Sequence, residues 1–142
     1  MNAPSPYRLD LARAPLSRAV FSSPHSGRWY PPELLRVSRL DPLSLRASED
    51  AYVDRLFAAA PGFGAPLIAA VAPRAYVDLN RGPDELDPAV IDGVRATGLN
   101  PRVAAGLGVI PRVVAEGAAI YDRRVSRAEA AERLARWHAP YH

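Results

Sequence analysis

The stretch that most restricts what this chain can fold into is Ala19-Val20-Phe21-Ser22-Ser23-Pro24-His25-Ser26-Gly27. A short apolar lead runs into small polar residues, a proline, a histidine and a glycine. That is the pattern of a strand ending in a sharp loop. His25 then lies at the carboxyl end of the strand, where α/β folds collect their ligand sites. It is also the one histidine ahead of His138 and His142. Chemistry in this chain is therefore expected around His25, against the competing reading of a loop histidine hydrogen-bonded to backbone.

Composition narrows the chemistry. At 142 residues one domain is expected, burying roughly two thirds of its unfolded surface. There is no cysteine, so neither a disulfide framework nor a thiolate metal site can form. Any metal must be held by His, Asp or Glu, which suits zinc or another divalent ion. All 18 basic residues are arginine, yet the net charge is only +3 and no basic block exceeds Arg123-Arg124. Charge spread this thinly argues against a dedicated nucleic-acid surface. Residues 1–15 lack an apolar core of signal-peptide length and no stretch approaches a membrane span, so a cytoplasmic protein is the expectation.

Taken in order, residues 1–18 are rich in proline and arginine without periodicity and are expected to form a loosely ordered arm, leaving 19–142 as the domain. A strand over about 18–23 delivers His25. Pro32 opens a short helix, and Asp41-Pro42 reads as cap and first position of another. Ser48 reads as the cap of a longer helix reaching Ala60, with Tyr52, Val53, Leu56, Phe57 and Ala60 on one buried face. Strands are expected over Pro66–Val71 and Ala75–Leu79, pairing with each other or forming one bent ribbon. A long loop over 82–106 follows, then strand character from Leu107 to Val114, interrupted by Pro111. Ser126-Arg127-Ala128-Glu129 is a capping box opening a helix to about Trp137, with Ala130, Leu134 and Trp137 inward and Pro140 ending it. The order is that of an α/β protein. It closes on a helix that would normally return to a further strand, so the domain is expected to be incomplete at its C-terminus.

Several side chains could carry chemistry. Glu49 and Asp50 are either favourable charges in the first turn of a helix or a metal ligand or base. On a strand of period two, Arg74, Tyr76, Asp78 and Asn80 share one face, a face too polar to be buried without purpose. Asn80-Arg81 could grip a carboxylate through the guanidinium fork; the alternative is an Arg74–Asp78 pair bracing the strand. His138 at a helix end and His142 are weaker candidates.

Together, Ser23-Pro24-His25-Ser26-Gly27, Asp50-Ala51-Tyr52-Val53-Asp54-Arg55-Leu56, the run Arg74 to Arg81 reading RAYVDLNR, Thr97-Gly98-Leu99, Gly117-Ala118-Ala119-Ile120-Tyr121 and Pro140-Tyr141-His142 resemble the N-formylglutamate amidohydrolase (deformylase) family, in the right order from about residue 19 onward. The resemblance implies a mixed-sheet sandwich of the zinc carboxypeptidase-like (phosphorylase/hydrolase-like) kind. It implies hydrolysis of N-formyl-L-glutamate to formate and glutamate, a step of histidine breakdown. It also implies zinc or another divalent metal as cofactor, with His25 as a ligand and Asp50, or alternatively Glu49, as a carboxylate ligand. Arg74, Asn80 and Arg81 would hold a substrate carboxylate. Family members continue past Pro-Tyr-His into a second half with an Asp-x-His-Ser segment, which would carry the remaining metal histidine and the general base. The chain thus corresponds to the family's N-terminal half.

The competing function is a non-catalytic module that binds small dicarboxylates through the arginine face. A nucleic-acid-binding fragment is motivated only by the pI of 9.7. A sheet cut short also predicts self-association through an exposed edge.

Overall fold

The computed structural model describes residues 4–15, 17–95 and 98–142. Its sheet is small and mixed, with strands β1 (Tyr7–Asp10), β2 (Phe21–Ser23) and β3 (Leu67–Ala70) in the order β1-β3-β2. The apolar run of β3 lies at the centre, with Leu67, Ala69 and Ala70 all buried. It is antiparallel to β1, Tyr7 opposite Ala70, and parallel to β2, Phe21 opposite Leu67. A parallel pair needs a long crossover, and residues 24–66 supply it with three short helices: α1 (Pro32–Val37), α2 (Pro42–Leu45) and α3 (Val53–Leu56).

Where local chemistry was strong, the expected elements form. Pro32 starts α1, and the Asp41 side chain accepts from the Leu43 and Ser44 N–H groups to cap α2. Ser126 and Glu129 close the capping box of α5 (Arg127–Arg133), which follows the single-turn α4 (Pro101–Ala104) capped by Asn100. Beyond α5 the backbone widens into a π-type stretch, Leu134–His138, before a last turn, α6 (Ala139–Tyr141). Pro140 therefore does not end the element. A π-type register relieves the clash and lost hydrogen bond that a proline brings to a regular helix.

Five other expectations are corrected. Within the 1–18 segment, Tyr7–Asp10 form an edge strand, paired along one side with β3; Met1 to Ala3 and Leu16 lie outside the described residues, as does Thr97. The helix expected over 48–60 is broken: Tyr52 takes a left-handed conformation with φ 62°, so only Val53–Leu56 coil, and Tyr52, Leu56 and Phe57 are exposed rather than buried. Ala75–Leu79 is a turn, not a strand. The Tyr76 N–H turns back to the Pro73 carbonyl at 2.9 Å and the Asp78 N–H goes to Val109 O at 2.8 Å. Ala75, Tyr76, Val77, Asp78 and Leu79 are all buried, so the alternating faces do not exist. It follows that β3 pairs with β1 and β2 rather than with this segment. Leu107 to Val114 makes no strand either; Val109 and Ile110 are buried, and only Val113 forms an isolated bridge, with Ala119.

The core joins these pieces. Leu34 of α1 and Leu45 of α2 pack with Ala70, Val77, Ile91, Val109, Ile110, Ile120 and Trp137. The terminal helix is fastened by Trp137 stacked on Trp29 at 5.4 Å and by Arg133 over the Tyr76 ring at 4.2 Å. Tyr141 meets Tyr7 edge-on and hydrogen-bonds the Ser22 hydroxyl of β2 at 2.9 Å. Among the described residues, no helix is long and apolar enough to cross a membrane.

Candidate functional site

β2 ends at Ser23 and the chain turns at once. The Ser23 hydroxyl donates to Ser26 Oγ at 2.7 Å, and the Ser26 hydroxyl reaches back to the Ser23 carbonyl. Gly27 then passes so close to the end of β3 that a Cβ there would lie 1.9 Å from the Ala72 carbonyl oxygen. Only glycine fits this approach. The turn points the His25 ring inward, 7% exposed.

His25 meets Asp78, which is wholly buried. His25 Nε2 lies 2.8 Å from Asp78 Oδ1, and the same oxygen accepts the Asn80 N–H at 2.9 Å. Arg74 Nε donates to Asp78 Oδ2 at 3.0 Å, and Arg81 Nε stands 3.8 Å from that oxygen. Burial pushes the Asp78 carboxyl up. The hydrogen bond and charge of His25, the Asn80 N–H and the Arg74 charge outweigh it and hold the group below the usual carboxylate range. One carboxylate thus gathers an imidazole and two guanidinium groups. The Arg74–Asp78 pair considered from sequence is present, bracing a turn instead of a strand.

The network also orients His25. An ionised carboxylate can only accept, so Nε2 carries a proton, and Nδ1 is the nitrogen left to accept whenever the ring bears that proton alone. Nδ1 faces Asp50 Oδ2 at 3.4 Å, and Asp50 is half exposed. Two acceptors facing each other call for a proton or a cation between them. A metal-ligating histidine is usually held at its far nitrogen by a carboxylate in this way. His25 and Asp50 therefore suit a divalent metal with nitrogen and oxygen ligands, but they supply two donors; among the described residues no group of three or more His, Cys, Asp or Glu side chains gathers to hold an ion.

Glu49 points elsewhere. It accepts the Tyr30 hydroxyl at 2.6 Å on one oxygen and Arg46 Nε at 3.2 Å on the other, with its side chain buried. Burial, reinforced by this carboxylate, drives the Tyr30 phenol upward. Glu49, Asp50 and Arg74 nonetheless border one hollow of about 400 Å³, closed on its other side by Leu107, Val113 and Val114. Asn80 is exposed. Arg81 borders a different hollow of about 510 Å³, with His138 and His142. The arginines share a carboxylate but open to two hollows. Arg81 Nε is buried without a hydrogen-bond partner among the described residues.

Sequence reasoning missed two features. Asp78 was one polar residue in a row; its role as the meeting point follows only from contacts spanning 53 positions. Asp54, also buried, accepts from both terminal nitrogens of Arg28 at 3.0 and 3.1 Å and from Arg8 at 3.4 Å. It ties the loop after His25 and strand β1 to α3. An aspartate on a helix with apolar neighbours was the available signal.

Similarities to known proteins point to one family. The family model described as N-formylglutamate amidohydrolase matches residues 17–142. A crystal structure of N-formylglutamate amidohydrolase from Ralstonia eutropha JMP134, at 2.00 Å resolution, is similar over 98% of this chain with 38% identity and a TM-score of 0.88. This chain spans 50% of that one. Among curated proteins none matches.

Proposed function

This chain belongs to the N-formylglutamate amidohydrolase family, and on that premise we propose that its residues serve the hydrolysis of N-formyl-L-glutamate, or a related N-acyl amino acid, to formate and glutamate. The carrying observation is the buried Asp78 shared by His25, Arg74 and Arg81. His25 Nδ1 and Asp50 would hold zinc or another divalent metal; Glu49 is already taken up by Tyr30 and Arg46. Such an ion, when bound, polarises a carbonyl and acidifies water. Asp78 keeps the imidazole in the tautomer that leaves Nδ1 free. Arg74 on the hollow beside Asp50, and Arg81 on the second hollow with Asn80 before it, are the proposed carboxylate ligands, and orientation of that kind lowers a barrier by fixing the reacting amide in place. The third metal donor and the general base are proposed to come from outside these residues, and the fold to be that of the carboxypeptidase-like hydrolases.

Zinc titration by calorimetry, with formate release followed in parallel, tests the proposal. Zinc binding that is lost in His25→Ala and in Asp50→Ala supports it, and formate release with stoichiometric zinc completes it. Zinc binding left unchanged by both substitutions would sink the metal assignment.

The two-donor set favours a second reading, in which the arginines bind a dicarboxylate without catalysis. Glutamate binding unaffected by chelator, with no formate release, would establish that reading in place of the first.

A further inference from the structure

The terminal helix carries two histidines that the site above does not use. His138 closes the π-type stretch and His142 follows the last turn, α6, and their rings lie 4.5 Å apart between centroids. Pro140 falls between the two. Both rings reach the same loop: His138 Nε2 lies 2.7 Å from the Arg81 carbonyl oxygen, and His142 Nε2 lies 2.9 Å from that of Leu79. A carbonyl oxygen only accepts, so both rings donate from Nε2. The two carbonyls flank Asn80, whose own N–H is fixed to Asp78. This loop belongs to no sheet ladder, so its course depends on such bonds.

We propose that His138 and His142 are positioning residues: by holding the Leu79 and Arg81 carbonyls they set the direction in which Asn80 and Arg81 are presented to a carboxylate. The inference rests on the carboxylate-binding role proposed above, but its first test does not depend on that role. At mildly alkaline pH, nitrogen-15 spectra of the imidazoles in the native chain should show both rings protonated at Nε2 and bare at Nδ1. Protonation at Nδ1 in either ring overturns the proposal.

Substitution gives the second test. His138→Leu and His142→Leu remove the donor, whereas His138→Gln and His142→Gln place an amide N–H near the position of Nε2. The backbone amide signals of Asn80, Arg81 and Gly82 should move in the leucine variants and stay near native in the glutamine variants. Unmoved signals in a folded leucine variant, or loop signals displaced as far by glutamine, overturn the proposal; should the leucine variants not fold, the glutamine variants and the native imidazole spectra decide. Glutamate affinity should fall on the order of fivefold to tenfold in the leucine variants, the effect of one lost hydrogen bond, and return with glutamine. If the native chain binds no glutamate, the carboxylate reading fails while the spectra still judge the loop.

Discussion

Asp78 and Asp54 are both buried aspartates with two arginine neighbours, and they do different work. Asp54 closes a clamp: Arg28 meets it with both terminal nitrogens, and Arg8 adds a third contact. Asp78 meets Arg74 and Arg81 only through Nε, at 3.0 and 3.8 Å, and gives its other oxygen to His25 and a backbone N–H. A guanidinium has five donors in a planar fork. Engaged through both terminal nitrogens it has its two-pronged end taken up by one carboxylate, whereas engaged through Nε it keeps that end for another acceptor. The comparison separates a fastening from a site by which donors remain.

The largest expected difference is between Asp78→Asn and Asp54→Asn. Removing the Asp78 charge leaves Arg74 and the buried Arg81 without compensation, a loss of about 3–5 kcal/mol, and it should abolish zinc binding because His25 loses its orientation. Asp54→Asn should cost about 1–3 kcal/mol, since its arginines reach solvent, with zinc binding retained. Urea unfolding and zinc calorimetry on both variants measure this; zinc binding lost with Asp54 and kept with Asp78 would break the distinction.

Arginine substitutions sharpen it. Arg74→Gln should lower glutamate affinity on the order of tenfold with a stability change of about 1 kcal/mol, while Arg28→Gln should leave affinity unchanged and cost about 1–2 kcal/mol. Equal affinity losses would contradict the reading of free donors.

Acid titration tests both carboxylates together. In each the arginine or histidine partners outweigh burial and depress the folded pKa below the ordinary 3.8. Their stabilisation is complete above that value and is lost as pH falls below it through the folded pKa. Acid unfolding monitored by circular dichroism should therefore be shallower at low pH in Asp78→Asn and in Asp54→Asn than in the native chain; an unchanged acid limb would show that neither group is linked to folding. The smallest effect on stability belongs to Asp50→Asn. With a half-exposed carboxylate, stability should change by less than about 0.5 kcal/mol, while zinc affinity falls.

Local signals were legible. Asp41-Pro42, the Ser126–Glu129 box and the strand-to-loop break at Ser23-Pro24 all act within four residues, and each appears where expected. The motifs also carried the family. Illegible segments failed for separate reasons, the first being burial from all sides. Ala75 to Leu79 reads as a strand because Ala75, Val77 and Leu79 alternate with Tyr76 and Asp78, yet a turn enclosed by core excludes water equally well. The helix expected over 48–60 failed at Tyr52, whose left-handed backbone no periodicity reports. Tyr7–Asp10, an exposed edge, lacks the apolar alternation by which strands are recognised.

The order of residues alone determined what could cap, turn or donate: a histidine after a strand, a glycine where the backbone closes, a chain without thiols, the family its motifs spell. Tertiary structure alone decided that Asp78 would be the meeting point, that Asp50 and not Glu49 would face His25, and that the last histidines would hold the Leu79–Arg81 loop. Those pairings join residues tens of positions apart, and a buried charge accepts whichever partners the packing of the whole chain brings within hydrogen-bonding reach.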